Sequence, residues 1–281
     1  MKIRIISIMV LFFISSYTFS QENGFAEINL KTQHSENISL NQTELNFGFR
    51  IMKDKKNQLN SKFGYTNSSI SYSDTEYGND DYLDQFNSLN YALEYNYAFS
   101  DKNSFTIIAN PVANFETKIH ASDISLFGGI EFTNKLAENA QIAIGVQRNT
   151  IFEKPEILPT FHFKYSFKNK MELDLGFPSA KISYSNNERN TFSITNDFNG
   201  YFYNTNEKIT IQNTKIERVS WSQMTTGFQY KRKFDENFTL ELKGGYDFNK
   251  KFHLNDSDDN IRYDLNINDG YTFKLGIKYQ L

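Results

Sequence analysis

Histidine is the side chain best suited to acid–base catalysis near neutral pH, and the chain contains four. A serine hydrolase places a His beside the attacking hydroxyl and orients its ring with a third polar group. His162 is the catalytic candidate because it alone falls within a clear alternating pattern, between Phe161 and Phe163. The alternative for His162 is a hydrogen-bonded structural side chain, and we predict no catalytic residue and no enzymatic activity. The other three lie in or beside polar stretches, where solvated side chains are expected: His34, His120 and His253.

A second candidate is a cation site in the polar segment that begins at Asp256. Asp256, Asp258 and Asn260 place oxygen atoms at alternate positions, as a calcium loop does. An EF-hand would continue with a Gly and then a bidentate Glu, but Ile261 and Ile267 stand at those two positions. The EF-hand is therefore rejected, and a loose divalent-cation contact or a solvated loop stays open. The acidic segment 73–84 leaves the same two alternatives, and we expect no cofactor.

These residues lie on, or between, segments in which apolar and polar side chains alternate. The clearest such run extends from Leu89 to Phe99, and another extends from Glu44 to Ile51. A period of two residues is typical of a β-strand with unlike faces, and no segment has the 3.6-residue period of a helix. The sequence therefore predicts an all-β fold. Similar apolar faces recur at 124–132, 142–146, 161–167, 171–177, 192–194, 228–230, 238–248 and 271–281.

Short polar turns alternate with longer polar loops between these segments. With Pro178-Ser179 as a further tight turn, the alternation predicts an up-and-down antiparallel sheet of about fourteen strands, with both termini at the short-turn end. Twelve strands is the alternative, because 177–185 could form one kinked strand and Pro is awkward inside a ladder. The predicted turns are 54–57, 100–103, 134–139, 168–170, 186–190 and 235–237, and the predicted loops are 33–41, 73–84, 116–122, 150–156, 204–216 and 253–269.

Three features favour a transmembrane β-barrel over a secreted sandwich or solenoid. The predicted strands, of about nine to eleven residues, suit a tilted bilayer crossing. Short turns alternate with long loops, and the 27 Phe and 17 Tyr crowd one strand face, as in the aromatic girdles of membrane barrels. Because hydrocarbon cannot form hydrogen bonds with the backbone N–H and C=O groups at an open sheet edge, a sheet that spans the membrane must close on itself.

The opposite face of the predicted strands carries charged and amide side chains, many of them in mid-strand. Such charges are costly in lipid but ordinary in a wet barrel interior. Barrels of about eight strands are filled by side chains and those of about sixteen to eighteen leave a channel, so fourteen lies between. Mixed charges fit internal salt bridges as well as an ion filter. The predicted lumen-lining residues are Glu94, Asn96, Glu131, His162, Lys164, Glu172, Lys181, Glu241, Lys243 and Lys274.

The first twenty residues predict a cleaved secretory signal peptide. Lys2 and Arg4 precede an apolar stretch, and Thr18-Phe19-Ser20 supplies small residues before the cleavage point. The predicted organisation is therefore a signal peptide at 1–20 and one barrel domain at 21–281. A signal peptide followed by a barrel predicts the outer membrane of a Gram-negative bacterium as the location.

Composition excludes several classes of function. The net charge is −3, with both signs spread along the chain, so a nucleic-acid partner, which needs a basic surface, is not expected. The chain has no Cys, which excludes disulfides, thiolate metal sites and Cys catalysis.

Several turns and strand ends also carry a family resemblance. The segments are Phe177 to Tyr184, Gly244 to Tyr246, Asp269-Gly270 and Phe273 to Tyr279. They resemble an outer-membrane β-barrel family of Gram-negative bacteria that carries only a domain-of-unknown-function label. The resemblance covers most of the predicted mature chain and implies the fold and the location. It implies no reaction and names no catalytic residue.

The sequence favours a monomeric outer-membrane barrel that acts as a non-enzymatic pore or transport channel for a small solute or a hydrophobic molecule. The alternative is a structural or surface-interaction barrel with a filled lumen and exposed acidic loops. The expected partners are outer-membrane lipid, lipopolysaccharide and the barrel-assembly machinery.

Overall fold

A computed structural model describes residues 24–36, 38–72, 84–168, 170–211, 214–265 and 267–281. The predicted signal peptide and most of the acidic segment 73–84 lie outside these residues. In the described part of the chain the regular elements are fifteen strands and a 3-10 turn at Ala121–Asp123. The strands are β1 Phe25–Ser35, β2 Ile38–Lys53, β3 Asn57–Tyr72, β4 Gln85–Ala98, β5 Asn103–Phe115, β6 Ile124–Ala137, β7 Ala140–Asn149, β8 Glu156–Phe167, β9 Met171–Phe177, β10 Ser179–Ser185, β11 Asn190–Ile211, β12 Thr214–Lys233, β13 Phe238–Asn255, β14 Ile261–Asp264 and β15 Gly270–Gln280.

Fourteen of the fifteen strands form one closed antiparallel barrel. Each strand from β1 to β13 pairs with the next, β13 also pairs with β15, and β15 pairs back to β1. The short β14 pairs with β13 alone and lies outside the ring. Because β9 and β10 are separate strands on either side of Pro178, the prediction of fourteen strands is confirmed and the alternative of twelve is wrong.

The outer face of the barrel is apolar because alternation along each strand directs Leu, Ile, Phe and Tyr outward. Leu242 of β13 and its register partner Leu275 of β15 remain 42% and 41% exposed. Aromatic side chains gather near the short-turn end, where the ring centroids of Phe99 and Phe105 are 5.4 Å apart and those of Phe238 and Tyr279 are 4.8 Å apart. A continuous apolar band with an aromatic rim matches a lipid surface better than water.

Four of the short turns contain the same pattern of hydrogen bonds from backbone to side chain. In the β2–β3 turn, Oδ1 of Asp54 accepts hydrogen bonds from the backbone N–H groups of Lys56 and Asn57, and these bonds lower the pKa of Asp54. The same residue spacing recurs at Ser100, Asn187 and Asp235. Asp, Asn and Ser suit this position because a short polar side chain can accept from the backbone two and three residues on.

The strands differ greatly in how far they extend at the opposite end, and for several of them the predicted length of about nine to eleven residues is wrong. β9 and β10 have seven residues each, whereas β11, β12 and β13 have 22, 20 and 18. The predicted loops at 33–41 and 204–216 consist mainly of strand, and 253–269 begins in strand and includes β14. These segments resemble loops in sequence because a strand beyond the lipid can be polar on its outer face. We call this end the long-hairpin end.

The long strands β11–β13 bend over the long-hairpin end and close it. With strands about 4.8 Å apart and tilted by about 40°, fourteen strands make a ring roughly 28 Å across. β4 and β11 lie seven strands apart in that ring, yet the ring centroids of Phe86 and Tyr203 are only 4.9 Å apart. The amide of Asn114 in β5 also donates to the backbone oxygen of Phe202, at 2.9 Å. We call this closure the dome; its buried apolar residues are Ile38, Leu40, Ile70, Phe86, Tyr203, Ile216, Val219, Trp221, Phe252 and Leu254.

The β7–β8 loop, residues 150–155, fastens the dome from its outer side. The buried carboxylate of Glu153 contacts Nζ of Lys251 and Oγ of Ser222, each at 3.3 Å, and the ring of His253. Thr150 Oγ1 donates to the backbone oxygen of Gly200 at 2.9 Å. Glycine is required at 200, because a Cβ there would lie 1.8 Å from the backbone oxygen of Thr150. The loop therefore holds β11, β12 and β13 in their bent position.

Candidate functional site

The candidate site is the barrel lumen, and by the alternation along each strand all ten predicted lumen-lining residues stand opposite in parity to the exposed apolar residues of the outer face. In β13, for example, Leu242 faces outward and the adjacent Lys243 faces inward. The ten divide among seven strands: Glu94 and Asn96 on β4, Glu131 on β6, His162 and Lys164 on β8, Glu172 on β9, Lys181 on β10, Glu241 and Lys243 on β13, and Lys274 on β15.

Ion pairs link the inner faces of β11, β12, β13 and β15. Lys243 Nζ lies 2.6 Å from Asp197 Oδ2, and Glu241 contacts Lys231 at 2.8 Å and Lys274 at 3.3 Å. Asp197 was not among the predicted lumen residues, although it continues the alternation of Ser193 and Thr195 along β11. Such partly buried pairs fix side-chain geometry more than they add stability. This wall is therefore a fixed network rather than a row of free charges.

The wall formed by β8 and β9 contains the one catalytic candidate. His162 Nδ1 lies 2.9 Å from Asp174 Oδ1, and Lys164 Nζ lies 3.4 Å from the other oxygen of Asp174. Within the described residues, the ring of His162 makes one hydrogen bond, and it is to the carboxylate of Asp174. The arrangement lacks a serine hydroxyl at the ring, which nucleophilic catalysis by a serine would need.

A His and a Ser also lie two residues apart at His120-Ala121-Ser122, beside the 3-10 turn. Ser122 Oγ is directed at Asp123 Oδ1, at 3.4 Å, and His120 Nδ1 lies 3.6 Å from the other oxygen of Asp123. The serine hydroxyl thus donates to the carboxylate. The group has the geometry of a turn cap.

The lumen widens towards the short-turn end. A cavity of about 770 Å³ opens there, lined in part by the inward side chains of Gln141, Lys164, Ser166 and Glu172. The Lys164 side chain is 50% exposed, although it points into the barrel. Charged groups on this part of the wall are therefore in contact with water inside the lumen.

The upper lumen, beneath the dome, is more tightly packed and contains buried amides. Gln33 Nε2 donates to Asp247 Oδ2 and Thr225 Oγ1 donates to Asp247 Oδ1, both at 2.6 Å. Other inward amide atoms are also buried without a hydrogen-bond partner, among them Asn29 Oδ1 and Gln229 Oε1, which lie lower in the barrel at the level of Glu241 and Lys243. A buried polar atom without a partner is destabilising, so such atoms mark places where water or a solute would bind.

The loop between β13 and β14 forms a closed hydrogen-bonded turn around Asp256. Partial desolvation raises the pKa of Asp256, but hydrogen bonds from Asn260, Asp258 and Arg262 outweigh it and lower the pKa to about 2. Asp258 contributes its backbone N–H, and Asn260 both its backbone N–H and its side chain. Among the described residues, no group of three or more His, Asp or Glu side chains is placed to hold a metal ion. The Asp256 carboxylate is thus engaged by donors of the protein itself.

A family model described as a domain of unknown function, DUF6268, matches residues 13–280. The chain belongs to this family. Membership agrees with the resemblance that the turns and strand ends showed, and the family description names no activity. No curated protein matches the chain.

Several solved structures are similar to this chain at low sequence identity. A KdgM porin in complex with disordered oligogalacturonate is 9% identical, with 91% of this chain and 99% of that chain covered and a TM-score of 0.41. An outer membrane channel from Pseudomonas putida F1 is 8% identical, with 94% and 97% covered and a TM-score of 0.47. A TodX monoaromatic hydrocarbon channel mutant is 10% identical, with 94% and 91% covered and a TM-score of 0.49.

These likenesses concern the fold alone. The described residues include no helix long and apolar enough to cross a membrane. The function is therefore inferred from the residues that line the lumen of this chain itself.

Proposed function

We propose that this chain is a non-enzymatic outer-membrane channel for a small solute. In this structure its extracellular mouth is closed. Membrane barrels carry short turns on the periplasmic side and longer connections outside. By that rule the short-turn end faces the periplasm and the dome faces the exterior. The apolar outer band supports the membrane location.

The observation that carries the proposal is the wide, charged cavity of about 770 Å³ at the periplasmic end. A barrel with a purely structural role has no need to keep charged groups such as Lys164 and Glu172 in a wet interior. Membrane proteins usually reserve intramembrane charges for a pathway or a site. A solute passing this cavity would reach the upper lumen and then the dome.

The dome also favours the second candidate, a barrel closed for structural or surface-interaction purposes. Its residues pack across the full width of the mouth, as the contact between Phe86 and Tyr203 demonstrates. Under this alternative the dome never opens. Its outer surface and the acidic turn at Asp256 would then be the functional parts.

Reversal-potential measurements in planar bilayers test the channel. Glu94, Glu131 and Glu172 face the lumen and form no ion pair within the described residues, so they contribute free negative charge to the pathway. We expect discrete openings of the wild-type protein, and a shift of the reversal potential towards anion selectivity in the triple variant Glu94→Lys, Glu131→Lys, Glu172→Lys.

A control is Glu236→Lys, which makes one such charge reversal in the exposed β12–β13 turn outside the lumen, and each single lumen variant is compared with it. It should leave the reversal potential nearly unchanged. If correctly folded wild-type protein gives no openings at any voltage, the closed structural barrel is the better account.

A further inference from the structure

A cleft beneath the dome collects three buried polar atoms that have no partner. It is lined by Gln33 of β1 and by apolar side chains that include Ile38, Leu40 and Phe252. The polar residues of β12 and β13 in the lining are Trp221, Ser222, Gln223, Lys250 and Lys251. Gln33, Trp221 and Gln223 are 2%, 3% and 5% exposed. Gln33 Oε1, Trp221 Nε1 and Gln223 Nε2 have no hydrogen-bond partner in the described part of the chain.

The hydrogen-bonding character of these atoms is fixed by chemistry. Gln33 donates through Nε2 to the Asp247 carboxylate, which leaves its Oε1 as a free acceptor. The indole Nε1 of Trp221 and the amide Nε2 of Gln223 are donors. These three unpartnered atoms therefore offer one acceptor and two donors.

A hydroxyl group matches this set one for one, because it donates one hydrogen bond and accepts two. A carboxylate or a carbonyl cannot donate to Gln33, and an ammonium group cannot accept from Trp221 or Gln223. The deep part of the cleft has a volume of about 20 Å³. That deep part accommodates one hydroxyl or one water.

We infer that this cleft binds the hydroxyl group of a small neutral solute whose remaining skeleton is apolar. The apolar skeleton follows from the aliphatic and aromatic walls beside the three polar atoms. Of the other polar residues in the lining, Ser222 and Lys251 are already engaged by the Glu153 carboxylate, which leaves Lys250 as the remaining charged one. The inference rests on the proposed channel and names the class of solute for it. Water offers the same chemistry, so the test must separate a bound solute from bound water.

Trp221 provides the readout, because it is the only Trp in the chain and its Nε1 faces the cleft. The full-length protein, folded in detergent, is titrated with cyclohexanol, cyclohexanone, cyclohexanecarboxylate and cyclohexylammonium while Trp emission is recorded. These probes share one ring and differ in the polar group. Cyclohexanol should shift the emission saturably, and cyclohexanone should bind about tenfold more weakly because Gln33 would stay unpaired. The two charged probes should give no saturable shift.

Two variants locate the site. Gln223→Leu removes one donor without breaking a recorded hydrogen bond, and it should weaken cyclohexanol binding about tenfold. Gln147→Leu makes the same change on the inner face of β7, away from the cleft, and should leave binding unchanged.

Two results would overturn the inference. Equal saturable shifts with cyclohexanol and cyclohexanone would mean that no hydrogen bond to Gln33 is made. No saturable shift with cyclohexanol, in protein that forms channels in bilayers, would mean that the three atoms hold water only, and the channel itself would stand. Cyclohexanol binding by a protein that never conducts would contradict the channel instead.

Discussion

Leu242→Arg is expected to lower the free energy of unfolding by about 2–4 kcal/mol, as charged side chains do on the lipid face near the bilayer midplane. Leu242 is the fifth residue of β13, points outward and pairs in register with Leu275, which lies in the middle of β15. An Arg at this position has no partner and no water within reach of its guanidinium. The measurement is reversible urea unfolding of the protein folded into lipid vesicles.

Glu131→Arg is the matched control, because it places the same side chain at mid-strand on the inner face of β6. Its free energy of unfolding should change far less than that of Leu242→Arg. Lys243→Leu is a weaker control than its position suggests, since it would remove the partner of Asp197. Equal losses from the two Arg variants would mean that the inner and outer faces have been assigned incorrectly.

Phe86→Ala is expected to destabilise the dome by about 3–5 kcal/mol, the range for removing a large aromatic side chain from a packed core. Phe86 is fully buried, and its ring contacts both Tyr203 and Trp221 from the opposite wall. The barrel below the dome is held by its own hydrogen bonds between strands. The loss of stability should therefore be local and should appear as opening of the dome. We expect the fraction of time that single channels spend open to rise strongly.

The control for this variant is Phe105→Ala, which removes the same side chain from the outer face of β5, where it is 44% exposed. Its open fraction should match that of the wild type. A Phe86→Ala protein that folds normally and stays as closed as the wild type would indicate that the dome is not the barrier.

Alternation along single strands is enough to predict most of the barrel. The outward position of Leu242 and the inward position of Lys243 follow from a two-residue period that lipid imposes on one side and water on the other. The strand count follows from the turns, including the tight one at Pro178. These features depend on neighbours in sequence or on adjacent strands, so a single sequence contains them.

The dome could not be predicted in this way. Tyr201 and Tyr203 directly precede the predicted loop 204–216, into which β11 continues. The continuation is not evident from the sequence, because beyond the lipid neither face need be purely apolar. The contact between Phe86 and Tyr203 joins strands that never pair. The partners of individual lumen charges, such as Asp197 for Lys243, similarly depend on the register of non-adjacent strands. The free atoms of Gln33, Trp221 and Gln223 become visible only when three strands are in place.

The central claim is that the barrel is hollow and that the dome alone closes it. Gly200 and Ser222 are register partners, so residues 201–221 can be replaced by a two-residue Asn-Gly turn that joins β11 to β12 below the dome. The decisive measurement is the planar-bilayer current of this trimmed barrel beside that of the wild type, both verified as folded by heat-modifiable migration on a gel. We predict a steady current through the trimmed barrel and brief openings of the wild type. A folded trimmed barrel that carries no current would show that side chains fill the lumen, and the account of a domed channel would be wrong.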